Sequence, residues 1–297
     1  MELIDGKKIS EEIKNEIAGE VRKMIAADRP VPHLAAVLVG EDPASQTYVA
    51  SKERACKEVG FMSSVYRYPG DFTEKQLLDV VQFLNNDPDI DGFIVQLPLP
   101  AHINVQKVIE TIDPAKDVDG FHPVNVGKML LGIPAYLPAT PSGIIMMLER
   151  TGIETEGKNC VILGRSNIVG SPMSVLMSRN RKPGNATVTV CHSKTRDLKT
   201  ITSAADILIV AIGQEGFVTA DMVKKGAVVI DVGMHRVPDS TTKSGFRLKG
   251  DVKFDEVAPL SSYITPVPGG VGLMTIVSLL KNTLHARNGN FYPKEER

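Results

Sequence analysis

The chain has 297 residues, of which 42% are hydrophobic, and a formal net charge of -1. This length and apolar content allow a sizeable core and predict two domains. The near-zero net charge gives no electrostatic reason to expect a nucleic acid or an anionic membrane surface as a partner.

The spacing of the cysteines and histidines and the amino-terminal sequence argue against disulfides, a metal site, a signal peptide and a membrane span. Cys56, Cys160 and Cys191 form no C-x-x-C pair and lie in apolar or helical segments, so we expect buried thiols in a reducing compartment. The six histidines have no ligand spacing, and no metal is predicted. Residues 1–8 lack a signal core and no apolar run reaches membrane length, which favours a cytoplasmic protein.

The first half of the chain alternates helical and strand-like patterns. Helices are predicted at residues 7–27, 45–58, 73–85 and 105–111, and strands at 34–39, 63–68 and 92–97. The last strand ends at Pro98 and Pro100, because proline cannot sustain a β ladder. A segment punctuated by prolines, residues 133–142, is the predicted domain boundary.

The second half begins with a strand, a polar turn and a helix. The apolar run 159–163 ends at Gly164, and Gly170 opens the next helix. Such a turn aims backbone N–H groups and a helix N-terminus at a phosphate. The middle glycine of the G-x-G-x-x-G fingerprint is missing, so a plain α/β layer with tight glycine turns stays open. Further runs rich in Val and Ile, at 186–191, 206–212 and 227–232, predict a doubly wound parallel sheet.

The end of the second strand of this half indicates which cofactor would bind. An NAD site places a carboxylate there, but this strand ends in the polar segment 192–196, and Asp197 is the first acid. Ser193 lies in that segment, and Arg165 follows Gly164. A guanidinium and a hydroxyl suit a phosphate, which favours NADP. The alternative is a solvated basic loop.

Candidate catalytic residues lie on the helix predicted at 45–58 and after the strand at 92–97. Tyr48 and Lys52 are four apart and share one helix face. Such a pair can lower the lysine pKa by partial burial and prepare it for proton transfer, although the same spacing is common on solvated helices. Gln96 lies at the carboxyl end of a buried strand, where α/β sheets bind ligands, or else is a hydrogen-bonded core residue.

Two loops and the carboxyl terminus complete the set. Residues 117–121 place Asp117 and Asp119 near a turn, which is a binding loop or an Asx-type turn. Residues 266–272 hold three glycines in four positions before an apolar helix at 271–287, and glycines let the backbone approach a ligand closely. The tail from Asn288 is predicted to be loose.

Together these segments resemble the bifunctional methylenetetrahydrofolate dehydrogenase and methenyltetrahydrofolate cyclohydrolase family over nearly the whole chain. Five motifs follow the family's order: YVASK at 48–52, VQLPLP at 95–100, DVDGF at 117–121, GRSNIVG at 164–170 and PVPGGVG at 266–272. One departure is Leu273, where the family usually has proline.

The resemblance implies an α/β fold of two domains flanking a cleft. The first, residues 1–140 plus a C-terminal helix at 271–297, is the folate-binding catalytic domain. The second, residues 141–270, is an NADP-binding Rossmann domain with a doubly wound parallel sheet. A homodimer is also implied.

The resemblance also assigns residues. It implies that Lys52 is the catalytic lysine, steered by Tyr48 and assisted by Gln96, and that Asp119 binds the pterin. The implied folate contacts are Ser45, Tyr48, Lys52, Val95, Gln96, Leu97, Asp119, Pro268, Gly269 and Gly270. The implied NADP contacts are Gly164, Arg165, Ser166, Ser193 and Met234.

The activity implied by the resemblance is NADP-dependent oxidation of 5,10-methylenetetrahydrofolate, then hydrolysis of the 5,10-methenyl product to 10-formyltetrahydrofolate. These are reactions of one-carbon metabolism that serve purine biosynthesis. A short-chain dehydrogenase also uses Tyr-x-x-x-Lys, but there the pair follows the glycine turn, whereas here it precedes it. A non-catalytic NADP-binding sensor is the other alternative, and Lys52, Gln96 and Asp119 disfavour it.

Overall fold

A computed structural model describes residues 1–242 and 245–293 of the chain. Its strands are β1 Glu2–Leu3, β2 His33–Val39, β3 Met62–Tyr68, β4 Gly92–Val95, β5 Asn159–Leu163, β6 Thr187–Cys191, β7 Ile207–Val210, β8 Val228–Asp231, β9 His235–Pro238, β10 Phe246–Lys249 and β11 Tyr263–Ile264. Its helices are α1 Gly6–Ala26, α2 Pro43–Val59, α3 Glu74–Asn86, α4 Val105–Thr111, α5 Pro123–Leu130, α6 Ala139–Thr151, α7 Gly170–Ser178, α8 Leu198–Thr202, α9 Phe254–Val257 and α10 Val271–Arg287.

The chain forms two compact units. One contains residues 1–10 and 140–275, and the other contains residues 11–139 and the chain from Ile276 onward. We call them the six-stranded unit and the three-stranded unit, after their larger sheets.

The three-stranded unit is built on a parallel sheet of order β3-β2-β4. Every residue of the central strand β2 is buried, as expected for an apolar strand covered on both faces. Helix α2 follows this strand and packs against β2 and β3. Its first residue is Pro43, the Asp42 side chain accepts the Ser45 N–H at 2.7 Å, and Gly60 ends it with φ of 83°.

The six-stranded unit has a parallel sheet of order β1-β11-β8-β7-β5-β6. Strand β5 pairs with β6 on one side and with β7 on the other. The strand order therefore reverses between β5 and β7, and such a switch point is where open α/β sheets bind ligands. The predicted α/β class with a doubly wound parallel sheet is confirmed.

Several elements differ from the sequence prediction. Strand β4 stops at Val95 rather than at residue 97. Helix α6 begins inside the segment predicted as a boundary, because Pro141 lies in its first turn, where a missing N–H costs little. The short strands β1 and β11, helix α5 and the antiparallel hairpin of β9 and β10 were not predicted.

The ends of the chain also differ from the predicted domain limits. Residues 1–10, placed in the first domain by the resemblance, lie in the six-stranded unit, because Glu2 and Leu3 pair with Tyr263 and Ile264. The final helix covers residues 271–287, as its apolar pattern predicted, and ends before the limit of 297 given with the domain; residues 294–297 lie outside the described chain.

The tail from Asn288 is not loose in its described part. The Phe291 and Tyr292 rings pack on Tyr136, with centroid distances of 5.3 and 5.6 Å. The apolar area that these rings bury stabilises the ordered tail.

The three cysteines are free and buried, as predicted. Within residues 1–242 and 245–293, no helix is long and apolar enough to cross a membrane.

Candidate active site

Lys52 and Gln96 meet in the three-stranded unit. The Lys52 Nζ donates to Gln96 Oε1 at 3.1 Å. Gln96 directly follows β4, and its backbone N–H bonds to the Val37 carbonyl of the neighbouring strand at 2.8 Å. Its side-chain Nε2 donates to the Leu97 carbonyl at 2.6 Å, which fixes the amide with Oε1 toward the lysine. The switch point between β2 and β4 thus holds a polar pair that the two strands and α2 assemble.

The electrostatics of this pair suit proton transfer. Lys52 is only 9% exposed, and burial lowers the pKa of its ammonium, while the nearby Asp119 carboxylate opposes that lowering. Burial likewise raises the pKa of Asp119, and Lys52 opposes it. Both groups are shifted toward their neutral forms, so Lys52 can accept a proton nearer neutrality than an exposed lysine does.

Asp119 lies in a tightly specified turn. The Asp117 carboxylate accepts the backbone N–H groups of Phe121 at 3.2 Å and His122 at 2.8 Å. Gly120 has φ of 72°, and a Cβ there would lie 2.5 Å from the Leu137 carbonyl carbon. This turn therefore requires glycine and leaves Asp119 little freedom.

Ser45 and Tyr48 lie on the same helix as Lys52. Ser45 is 3% exposed, and its Oγ has no hydrogen-bond partner among the described residues. A buried hydroxyl of this kind normally has a partner, so a ligand oxygen or nitrogen would satisfy it. Tyr48 is half-buried, and burial raises the pKa of its phenol, which keeps it a hydrogen-bond donor.

Val95 and Leu97 complete the predicted folate contacts of this unit. Val95 is buried at the end of β4. Together with Asp119 and Phe121, both residues line a cavity of about 10 Å³, which has room for about one water molecule. This cavity is too small for a folate, and contact of Val95 and Leu97 with the substrate stays a prediction.

The glycine turn of the six-stranded unit lies at the switch point. Gly164 follows β5 with φ of +122°, and a Cβ there would collide with the Ala211 carbonyl. A Cβ on Gly170 would collide with the Gly164 carbonyl. The two backbone segments can approach this closely only because both residues lack side chains. The turn is therefore tight even though the middle glycine of the fingerprint is missing.

The other residues of this turn are available to a ligand. Arg165 and Ser166 are exposed, and the Ser166 hydroxyl accepts the Val169 N–H at 3.1 Å. No side chain caps the first turn of α7. The Ser171 and Met173 N–H groups already bond to the Ser166 and Val169 carbonyls, and Pro172 has none. A phosphate here would therefore be held mainly by the exposed guanidinium of Arg165 and the Ser166 hydroxyl, and these residues fit a dinucleotide phosphate.

The remaining predicted cofactor contacts lie on neighbouring loops of the same unit. Ser193 is exposed just after β6, in a turn closed by the His192 N–H bond to Thr195 Oγ1 at 2.8 Å. Met234 follows β8 and is 38% exposed. A Cβ on Gly272 would lie 3.1 Å from the Met234 methyl carbon.

The predicted folate contacts Pro268, Gly269 and Gly270 form the turn before α10 and belong to the six-stranded unit. A Cβ on Gly6 would collide with the Gly270 carbonyl. Within the loop itself, a Cβ on Gly270 would collide with the Pro266 carbonyl, and Gly269 has φ of +103°. Contact of these three residues with folate stays a prediction.

Two buried carboxylates of the six-stranded unit, Asp231 and Asp251, were not identified from the sequence. Asp231 accepts the N–H groups of Gly233, Asp251 and Val252, all at 3.0 Å. Asp251 accepts those of Ile212 and Gly213. The available signal in the sequence was the pair of glycines Gly233 and Gly250, because a Cβ at either position would collide with one of these carboxylates.

Fold and site together define a two-domain, dinucleotide-binding α/β enzyme. Two family models cover most of the chain: the catalytic domain of tetrahydrofolate dehydrogenase/cyclohydrolase matches residues 4–119 and the NAD(P)-binding domain of the same family matches residues 138–291. The chain belongs to the tetrahydrofolate dehydrogenase/cyclohydrolase family. The family predicted from the five motifs is thereby confirmed.

Individual relatives agree with this family. The chain is 64% identical over 292 residues to a bifunctional protein FolD of Phocaeicola vulgatus, which covers 98% of this chain and 100% of that protein. The crystal structure of the bifunctional FolD enzyme of Campylobacter jejuni is similar at 46% identity and a TM-score of 0.91, covering 98% and 99% of the two chains. A Trypanosoma brucei dehydrogenase-cyclohydrolase complexed with NADP and an inhibitor is similar at 38% identity and a TM-score of 0.91, with 97% of each chain covered.

Proposed function

We propose that this chain oxidises 5,10-methylenetetrahydrofolate with NADP and then hydrolyses the 5,10-methenyl product to 10-formyltetrahydrofolate. The observation that carries the proposal is the buried Lys52, bonded to Gln96 and charge-coupled to Asp119 at a strand switch point. Membership of a dehydrogenase/cyclohydrolase family supports both activities.

The dehydrogenase step depends mainly on orientation. NADP, when bound, accepts the hydride that leaves the methylene carbon. The protein contributes the close backbone turn between Gly164 and Gly170 and the fixed pair of Lys52 and Gln96. Holding two reactants in register removes much of the entropic barrier.

The choice of NADP over NAD rests on Arg165 and Ser193. Both are exposed and follow adjacent parallel strands at their carboxyl ends. No carboxylate occurs after β6 before Asp197. A ribose phosphate would find a charged donor and a hydroxyl there, while a bare ribose would find no carboxylate for its two hydroxyls.

The cyclohydrolase step needs a proton acceptor. Water adds to the methenyl carbon; the bond from that carbon to N5 later breaks as the hydroxyl proton passes to N5, which leaves the formyl group on N10. A first proton must leave the water as the carbon–oxygen bond forms. We assign its removal to Lys52, because burial keeps the amine neutral more often than in solvent. Gln96 holds the Nζ in place, Asp119 binds the pterin, and Ser45 and Tyr48 offer polar atoms on the same helix face.

A turnover assay tests the proposal. Purified protein is given methylenetetrahydrofolate and NADP, and NADPH formation is followed by its absorbance; methenyl hydrolysis is followed in a separate reaction without NADP. We expect both activities. Absence of NADPH formation from a folded sample would contradict the proposed function.

The family resemblance further suggests a homodimer in the cytoplasm that serves one-carbon metabolism, including purine biosynthesis. These three statements stay predictions.

A further inference from the structure

The carboxyl-terminal segment holds the turn that carries Asp119. Asn282 of helix α10 is 6% exposed. Its Nδ2 donates to the Val118 carbonyl at 2.8 Å and to the Leu137 carbonyl at 3.0 Å. Val118 directly precedes Asp119, and the Leu137 carbonyl faces Gly120, which directly follows Asp119. The Asn282 amide therefore holds backbone next to Asp119 on either side.

A second chain of hydrogen bonds reaches the same turn from the tail. The Tyr292 hydroxyl donates to Asn125 Oδ1 at 2.7 Å. Asn125 is fully buried, and its Nδ2 donates to Asp117 Oδ2 at 2.9 Å. The Asp117 carboxylate in turn accepts the N–H groups of Phe121 and His122. Polar groups linked in series and removed from water hold one another in a single arrangement.

The tail itself is anchored by apolar and cation–π contacts. The Lys128 Nζ lies 3.7 Å from the centre of the Tyr292 ring, and the Tyr136 ring lies 5.6 Å away. The Tyr136 hydroxyl also donates to the Ala115 carbonyl at 3.1 Å. These contacts hold the Tyr292 ring in place independently of the hydrogen bond that its hydroxyl donates.

We propose that Asn282 and Tyr292 are positioning residues for Asp119, and that through it they set the affinity for folate. Neither side chain has to touch the substrate. Loss of the Tyr292 hydroxyl would leave Asn125 Oδ1 buried without its donor, and loss of the Asn282 amide would leave two backbone carbonyls unpaired. The turn would relax to recover these bonds, and the Asp119 carboxylate would move with it. The inference rests on the proposed function, because it takes Asp119 as the pterin ligand.

The test uses variants that remove hydrogen bonds and keep shape. Tyr292→Phe keeps the ring and its contacts with Lys128 and Tyr136, and Asn282→Leu keeps the branching of the side chain. We expect the KM for methylenetetrahydrofolate to rise about 3- to 10-fold in each, the value of one net hydrogen bond. We expect kcat and the Kd for NADPH to change by less than about 2-fold, since neither bond touches the six-stranded unit. Tyr66→Phe is the matched control, because the Tyr66 hydroxyl makes no hydrogen bond in the described chain.

A double-mutant cycle with Asp119→Asn separates positioning from a general loss of structure. The Kd for tetrahydrofolate is measured by calorimetry on full-length protein in both backgrounds. If Tyr292 and Asn282 act through Asp119, their substitutions weaken binding in the wild-type background and change it by less than about 1.5-fold in Asp119→Asn. Equal effects in both backgrounds, or a lowered Tm with unchanged folate affinity, would overturn the proposal. If Asn282→Leu does not fold, Tyr292→Phe decides alone; a wild type that binds no tetrahydrofolate would instead refute the proposed function.

Discussion

The Nε2 of His235 lies 2.7 Å from Oδ1 of Asp251, a carboxylate with no exposed surface. The other oxygen of Asp251 accepts the N–H groups of Ile212 at 2.8 Å and Gly213 at 3.0 Å. One buried carboxylate thus joins the loop after β7 to the first residue of β9. Met234, the predicted cofactor contact, immediately precedes this histidine.

His235→Ala should weaken NADPH binding about tenfold, because a hydrogen bond to a charged group contributes about 1.5–3 kcal/mol and its loss frees the loop of Met234. His235→Asn retains a donor and should recover part of the affinity. The chain has no tryptophan, so the fluorescence of NADPH itself can be titrated. His102→Ala, an exposed histidine of the other unit, serves as control; an unchanged Kd in His235→Ala would contradict the prediction.

Arg165→Ala should erase much of the preference for NADP over NAD. The guanidinium is the charged donor that we assign to the ribose phosphate, and each charge-assisted bond contributes about 1.5–3 kcal/mol. The measurement is the ratio of kcat/KM for the two cofactors, with Arg67→Ala as the control on β3. Equal discrimination in the wild type and in Arg165→Ala would refute the assignment of Arg165.

Lys52→Met should reduce methenyl hydrolysis by about 10²–10⁴-fold, the usual contribution of a positioned acid–base group. Hydride transfer should fall less, because part of its rate comes from binding geometry. NADPH formation and methenyl hydrolysis are measured separately. Lys57→Met is the control, since Lys57 lies on the same helix, is exposed and pairs with Glu53 at 2.9 Å. Surviving hydrolysis with lost hydride transfer would show that the role given to Lys52 is wrong.

The stability of Lys52→Met should depend on pH in a defined direction. Burial lowers the Lys52 pKa from 10.5 in the folded state, so between the two pKa values the unfolded chain binds the extra proton and wild-type stability rises with pH. Below the folded pKa the buried charge destabilises the wild type fully, and methionine removes this cost. The Tm of Lys52→Met should therefore exceed that of the wild type at neutral pH, and the gap should close as the pH approaches 10.5. A constant gap from pH 7 to about 10 would show that the lysine pKa is not lowered.

The dimer predicted from the resemblance is tested by sedimentation at micromolar protein. We expect a species of about twice 32.2 kDa. A single species near 32.2 kDa would exclude the dimer under these conditions.

Much of the candidate site could be predicted from the sequence because its signals involve residues close together in the chain. The spacing of Tyr48 and Lys52 determines that they share a helix face, and Gly164 and Gly170 are both required by the turn that they enclose. Gln96 was predicted at the carboxyl end of β4 because Pro98 and Pro100 follow it and cannot continue a strand. In contrast, strand β1 could not be predicted, since two residues carry no periodicity and their partner β11 lies at the other end of the chain.

The sequence by itself determined the alternation of strands and helices, the switch-point glycine turn and the polar residues that follow the buried strands. Helix caps, hydrophobic periodicity and strand-ending prolines each involve only a few neighbouring residues, so they can be recognised in order along the chain. Only the tertiary structure decided that Lys52 bonds to Gln96, that Asp251 joins the loop after β7 to His235, and that the tail reaches Asp117 through Tyr292 and Asn125. These contacts join residues distant in sequence, and they form because burial leaves each polar group no partner but the one that packing brings to it.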